Sequence, residues 1–283
     1  MTPAGDWVDS NPSGARPIIV LGDSNAAANY VHIVHYPSAM QRPQVVGSVY
    51  KIYCHQGEGG AALEAQQDTF ARLQPLVANS DVPRGSWVLD LAESLLPLES
   101  PLALINTAWG GSTLDYCNPE VNPSGYATFL AWIEARLALL PSHLEPVVIC
   151  YEGTNGPGTD TTWSAGMAHI MAALRTDLGY ANLGVVVVRI PASAEPPPVG
   201  VDYDTIRASQ TAYVASDEHS RLAYHEAMTF VDNNTLVQGY AAPSPEGAAG
   251  HWDRLGARTL AIGPNATGVT RSILTCIQEL LAP

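Results

Sequence analysis

The sequence predicts an α/β protein: a three-layer α/β/α sandwich with a mainly parallel sheet of about five strands and helices on both faces. Three observations carry this expectation. Short β-branched or aliphatic runs alternate along the chain with longer stretches of helical periodicity, the pattern of a parallel sheet wrapped on both sides. Several of those runs lack the polar alternation of a half-exposed strand. The chain also has 283 residues, 46% of them hydrophobic, which is ample for one large core.

The strand candidates are residues 17–21, 44–50, 102–106, 146–151 and 184–190, with a weaker one near 228–231. Between them lie three helical stretches. Residues 85–96 carry Trp87, Leu91, Leu95 and Leu96 at helical spacing. Residues 126–140 carry Phe129, Trp132, Ile133, Leu137 and Leu140, and residues 162–178 carry Trp163, Met167, Ile170, Met171 and Leu174. Each stripe reads as a core-facing surface. Proline, glycine and small polar residues mark loops at 155–161 and 191–201, the second holding Pro196-Pro197-Pro198 and therefore extended or irregular. The same alternation resumes after that loop, so residues 17–283 read as a single domain preceded by an extension over 1–16.

Composition narrows the function classes. The formal charge is −14, with Lys51 the single lysine beside the arginines, and such a surface repels phosphate backbones, so no nucleic-acid partner is expected. No apolar run approaches the ~20 residues of a membrane-spanning helix. The opening Met1-Thr2-Pro3-Ala4-Gly5-Asp6-Trp7 has neither a basic start nor an apolar stretch. The expectation is a soluble chain that is cytoplasmic or carried in a larger particle. Cys54, Cys117, Cys150 and Cys276 are far apart and form no CxxC pair, so no metal site is read from them. Cys150 ends an apolar run and reads as a small buried hydrophobe.

Four segments carry chemistry. Ile18-Ile19-Val20-Leu21-Gly22-Asp23-Ser24-Asn25 is a buried strand ending in a tight turn that presents a serine. In open α/β sheets ligand chemistry sits at the carboxyl ends of strands, so Ser24 stands where a nucleophile belongs. Taken alone, the same turn reads equally well as a helix N-cap. A second strand runs into Trp109-Gly110-Gly111-Ser112, whose paired glycines permit the free amides an oxyanion hole requires, or simply make a turn. A third ends in Tyr151-Glu152-Gly153-Thr154-Asn155-Gly156, where the Asn155 amide is suited to donate to an oxyanion or to close an Asx-turn. The fourth is Gly250-His251-Trp252-Asp253-Arg254-Leu255-Gly256, the only one of the 8 histidines set in such a motif.

In their order along the chain, these segments resemble the four motif blocks of the SGNH (GDSL-like) hydrolase superfamily. Ser24 matches the nucleophile block, Gly110 or Gly111 the glycine block, Asn155 the asparagine block and His251 the histidine block. The resemblance implies a flavodoxin-like sheet and ester hydrolysis without metal or cofactor. Ser24 would be the nucleophile and His251 its base, with an oxyanion hole from the Ser24 and Gly110 or Gly111 amides and Asn155. Trp109-Gly110-Gly111-Ser112 and Ile206-Arg207-Ala208-Ser209-Gln210 are most similar to carbohydrate acetylesterases, including the sialate O-acetylesterase-like group. That likeness implies an acylated, chiefly O-acetylated, carbohydrate as partner. Trp109, Tyr151 and Trp252 adjoin the motif residues and are candidates to line its site, or else core residues.

The sequence departs from the pattern in two places. The family's aspartate three residues before the histidine is Ala248 here, leaving Asp253 and Glu246 as candidate acids to orient His251, or a backbone carbonyl in a Ser-His dyad. The third block ends in Gly156, where many members carry aspartate. The alternative is a catalytically weakened module of the same fold, used for glycan binding or for assembly into a larger particle such as a virion.

Overall fold

The computed structural model describes residues 13–23, 26, 31–32, 49–53, 71–72, 84–85, 91, 94–95, 101–109, 111–160, 162–190, 201–225, 260–263 and 270–282. Ten strands occur among them. They are β1 (Arg16–Gly22), β2 (Val31–His32), β3 (Val49–Tyr53), β4 (Ala71–Arg72), β5 (Arg84–Gly85), β6 (Leu102–Asn106), β7 (Val147–Tyr151), β8 (Gly184–Val188), β9 (Ser220–His225) and β10 (Thr270–Arg271). The four longer helices are α1 (Pro123–Leu137), α2 (Trp163–Asp177), α3 (Tyr203–Ser216) and α4 (Ile273–Leu281).

Eight strands form one sheet in the order β10-β9-β8-β7-β1-β6-β3-β4, and β2 pairs with β5 apart from it. From β3 to β9 all neighbours are parallel, while β4 and β10 add antiparallel edges. Taken by themselves, β1, β6, β7, β8 and β9 follow the flavodoxin-like order 2-1-3-4-5, and β3 extends that sheet outside β6. Every residue of β6, β7 and β8 is buried. Successive side chains on a strand point to opposite faces, so both faces of these strands are covered. Helix α2 lies against α3, α3 against β9, and α4 against β8 and β9. The result is the predicted three-layer α/β/α sandwich with a mainly parallel sheet.

Local sequence explains the element ends. Helix α1 starts one turn before the expected 126 because Pro123 suits the first helical position and the Asn122 side chain accepts from the Gly125 amide at 3.0 Å. Helix α2 is capped by Thr162, which accepts from the Ala165 amide at 3.1 Å, and Gly179 follows its C-cap at φ 75°. Asp202 caps α3 by accepting from the amides of Asp204 and Thr205, both at 3.1 Å. Phe129, Ile133 and Leu137 on α1, and Trp163, Met167, Ile170, Met171 and Leu174 on α2, are buried as read, whereas Trp132 of the α1 stripe is only half-buried. Cys117, Cys150 and Cys276 are buried free thiols. Burial pushes Cys276 up to about 12 and raises the other two further, so none carries thiolate character at neutral pH.

Three expectations change. The second strand is Val49–Tyr53, overlapping the expected 44–50 only at its end, and residues 44–48 lie outside the described residues. Gly85 pairs in β5, and of the expected helix 85–96 the described helical residues are Leu91, Ser94 and Leu95. The strand after α3 is Ser220–His225, and the segment near 228–231 lies outside the described residues. The charge on Arg221 and the polar ends of Ser220-Arg221-Leu222-Ala223-Tyr224-His225 hide this strand, yet it pairs with β8 through four residues in register. Among the described residues no helix is long and apolar enough to cross a membrane.

Ile149 sits at the centre of β7 with 0% exposure, whereas Val121 is 38% exposed. Ile149→Ala is expected to cost roughly 2–5 kcal/mol in urea unfolding, and Val121→Ala to stay within about 0.5 kcal/mol. Equal effects at the two positions would contradict this placement of the core.

Candidate active site

The chain leaves β1 toward one side of the sheet and crosses to the other at β7, so the topological switch point lies between these strands, where open α/β sheets bind ligands. The carboxyl ends of β1, β6 and β7 carry the first three motif segments. Gly22 closes β1 at φ 141°, and a Cβ there would stand 2.0 Å from the Tyr151 carbonyl oxygen and 2.8 Å from the Ala26 Cβ. Only glycine fits. The Gly22 carbonyl accepts from the Trp109 amide at 2.8 Å, its amide donates to the Tyr116 hydroxyl at 3.2 Å, and the Asp23 amide donates to the Tyr151 carbonyl at 3.0 Å. These bonds knit the turn that leads to Ser24 to both neighbouring strand ends.

The loop after β6 is held by side chains. Thr107 donates to the Val20 carbonyl at 2.9 Å, and Asn106 accepts from the Ala108 amide at 3.0 Å. Gly111 lies at φ 75° with open space where a Cβ would be, so its requirement is conformational rather than steric. Ser112 Oγ donates to the Trp109 carbonyl at 2.6 Å and lies 3.4 Å from Glu152 Oε2. Asn155 Nδ2 donates to the Ser112 carbonyl at 3.0 Å, joining the asparagine segment to the glycine loop. An amide NH₂ has two donors, and this bond holds one N–H of Asn155.

Beneath this surface lies a buried polar layer. Asp23 and Glu152 are both 0% exposed. Thr154 Oγ1 donates to Asp23, the Gly153 amide donates to Glu152 Oε1 at 2.9 Å, and Tyr203 donates to the Thr154 carbonyl at 2.9 Å. Gln210, also 0% exposed, donates to the Glu152 carbonyl at 2.8 Å and accepts from the Ile190 amide at 3.0 Å, tying α3 to the ends of β7 and β8. Burial, then the charge of Asp23, pushes the Glu152 carboxyl well above its ordinary range, against the lowering effect of the Gly153 amide and Ser112. Burial likewise raises Tyr116, whose phenol stays protonated.

Of the residues the sequence singles out, Gly111 and Asn155 lie in the loops after β6 and β7, the two strands that flank β1, and are joined through Ser112. Trp109 is 39% exposed beside them, and Tyr151 is 2% exposed within the core. Ser24, Gly110, His251, Trp252, Asp253 and Glu246 lie outside the described residues. Sequence reasoning gave no part to Glu152 or Thr154 and placed Gln210 only by its motif. The available signal was an acid directly after the apolar run Val147-Val148-Ile149-Cys150-Tyr151. Among the described residues no group of three or more His, Cys, Asp or Glu side chains is arranged to hold a metal ion.

No protein-family model matches this chain, and no curated protein sequence matches it. Solved structures share its fold. A protein from Arabidopsis thaliana superposes with a TM-score of 0.52 at 14% identity, over 75% of this chain and 86% of that one. A carbohydrate acetylesterase from Xanthomonas citri superposes with a TM-score of 0.51 at 16% identity, over 86% of this chain and 55% of that one. This chain thus spans a little over half the length of the Xanthomonas enzyme. At such identities the likeness establishes the α/β fold alone.

Two predictions follow from the geometry. Gly22→Ala forces a side chain into the Tyr151 carbonyl and should cost roughly 2–4 kcal/mol by urea unfolding, whereas full tolerance would refute the close approach. Because Glu152 keeps in the folded state a proton that the unfolded chain releases above 4.5, its contribution to stability is complete below that pH. It is lost as pH rises toward the raised value. Each pH unit costs about 1.36 kcal/mol while the difference is one proton, or roughly 2–4 °C in Tm. Glu152→Gln removes this titration, so its Tm advantage over the wild type should widen between pH 5 and pH 8 in calorimetric scans. Parallel curves would show that Glu152 ionises normally.

Proposed function

We propose that this protein is a serine ester hydrolase that removes O-acetyl groups from a carbohydrate. His251 takes the proton of Ser24, whose oxygen attacks the ester carbonyl. The tetrahedral oxyanion is held by the Ser24 amide, the Gly110 or Gly111 amide and Asn155, and the alcohol leaves with the proton from His251. Water activated by the same histidine then releases acetate. The observation that carries this reading is the joining of Asn155 to the glycine loop through the 3.0 Å bond to the Ser112 carbonyl, at the switch-point end of the sheet. It holds one N–H of Asn155 and leaves the other as the donor this reading requires. A fold shared with a carbohydrate acetylesterase supports the same class of chemistry. Ala248, in place of an orienting aspartate, favours the second reading of a weakened catalyst kept for glycan binding.

The deciding measurement is p-nitrophenyl acetate hydrolysis by the wild type, Ser24→Ala, His251→Ala and Asn155→Ala, with longer acyl chains alongside. Ser24→Ala and His251→Ala should fall to background. Asn155→Ala should lose roughly 10²–10³ in kcat, the usual worth of one oxyanion donor. Wild-type turnover no faster than Ser24→Ala would end the hydrolase reading.

A further inference from the structure

A cleft of about 520 Å³ opens beside the glycine loop, between residues 107–116 and the first turns of α1. Its volume falls within the ~300–1,000 Å³ of small-molecule sites. Four aromatic side chains line it: Trp109, Tyr116, Phe129 and Trp132. The remaining described lining consists of hydroxyl and amide side chains and glycine, with no charged group. The nearby guanidinium of Arg136 is stacked on the Trp132 ring at 3.9 Å and is not part of this lining.

The polar groups are set for a hydroxylated ligand. Asn122 Oδ1 accepts from the Gly125 amide at 3.0 Å and from Ser124 Oγ at 3.1 Å, so the NH₂ is its remaining donor. Thr128 donates to the Ser124 carbonyl at 3.0 Å, which leaves its oxygen as an acceptor, while the Ser112 proton is engaged by the Trp109 carbonyl at 2.6 Å. Aromatic rings beside mixed donors and acceptors complement a ring that has C–H faces and a rim of hydroxyls. A carboxylate would meet no cation among the described lining residues, inside a chain of net charge −14.

The geometry points to this cleft as the sugar subsite, taking an uncharged, hydroxyl-rich sugar rather than an acidic one. Ser112 belongs both to the cleft wall and, through its carbonyl, to the Asn155 contact, so the cleft adjoins the proposed oxyanion donor. The assignment rests on the ester-hydrolase reading for the role of the sugar, but its binding can be measured separately.

The test titrates the Ser24→Ala chain with a mono-O-acetylated methyl xyloside and with 9-O-acetylated N-acetylneuraminic acid, followed by calorimetry and tryptophan fluorescence. The neutral sugar should bind roughly tenfold or more tighter than the acidic one. Thr128→Trp, made at an exposed helix position, fills the cleft without touching the core and should weaken neutral-sugar binding by a similar factor at unchanged Tm. Equal or tighter binding of the acidic sugar, binding unaffected by Thr128→Trp, or no neutral-sugar binding would each overturn the assignment. If neutral-sugar binding fails while Ser24-dependent p-nitrophenyl acetate turnover persists, the subsite falls alone. If the sugar binds in the cleft while turnover is absent, the hydrolase reading falls alone.

Discussion

The carbonyl of Tyr151 stands where a side chain on residue 22 would begin, 2.0 Å from the position of its Cβ. That contact lets β1 and β7 run to their carboxyl ends in parallel register and then part, β1 into the turn toward Ser24 and β7 into the Glu152–Asn155 loop. The same residue accepts from Trp109 and donates to Tyr116, so one glycine fixes the separation of three strand ends. A side chain there would push β7 away, and the loop carrying Asn155 would move with it. The candidate site is therefore a consequence of sheet packing as much as of its own residues.

Beneath the site, packing gives way to a second constraint. Two carboxyl side chains, Asp23 and Glu152, are enclosed with Thr154 and Gln210, and each has hydrogen-bond partners on other segments. Burying a carboxyl without partners costs several kcal/mol. The network thus rewards one arrangement of the loops and penalises any in which a partner is missing. Glu152 meets the cost by holding its proton, which lets two acidic groups share one buried region. Gln210 reaches in from α3 to occupy the Glu152 carbonyl and the Ile190 amide, so the helix layer is locked to the strand ends as well.

The central strands were legible because their burial leaves no room for polar alternation. Ile18-Ile19-Val20-Leu21, Leu102-Ala103-Leu104-Ile105 and Val185-Val186-Val187-Val188 announce themselves as doubly covered. β9 was not, since its first two positions are polar: Ser220 is buried by bonding back to the Asp217 carbonyl, and Arg221 turns to the Glu218 carbonyl. Helix α4 was not singled out either, although Ile273, Cys276 and Ile277 turn one face inward. Within the site, Gly111 and Asn155 were legible as motif residues. What motif reading missed is the layer that holds them: Glu152 and Thr154 act through hydrogen bonds to segments distant in sequence, and no local pattern encodes those partners.

This separation bears on the missing aspartate. On the proposed reading, the donor half of the site is built on β6 and β7, whose loops are cross-braced by Ser112, Asn155, Glu152 and Gln210. The base half, His251, lies on a different stretch of chain, after β9. Losing an orienting carboxylate costs up to ~10⁴-fold in a Ser-His-Asp centre because the imidazole adopts the wrong tautomer, while oxyanion stabilisation survives its loss. On that reading, Ala248 in place of an aspartate bears on the orientation of His251, whereas the described bonds that hold Asn155 come from the loops after β6 and β7. On the proposed reading, the residue that fixes the His251 tautomer is therefore the one on which the rate turns.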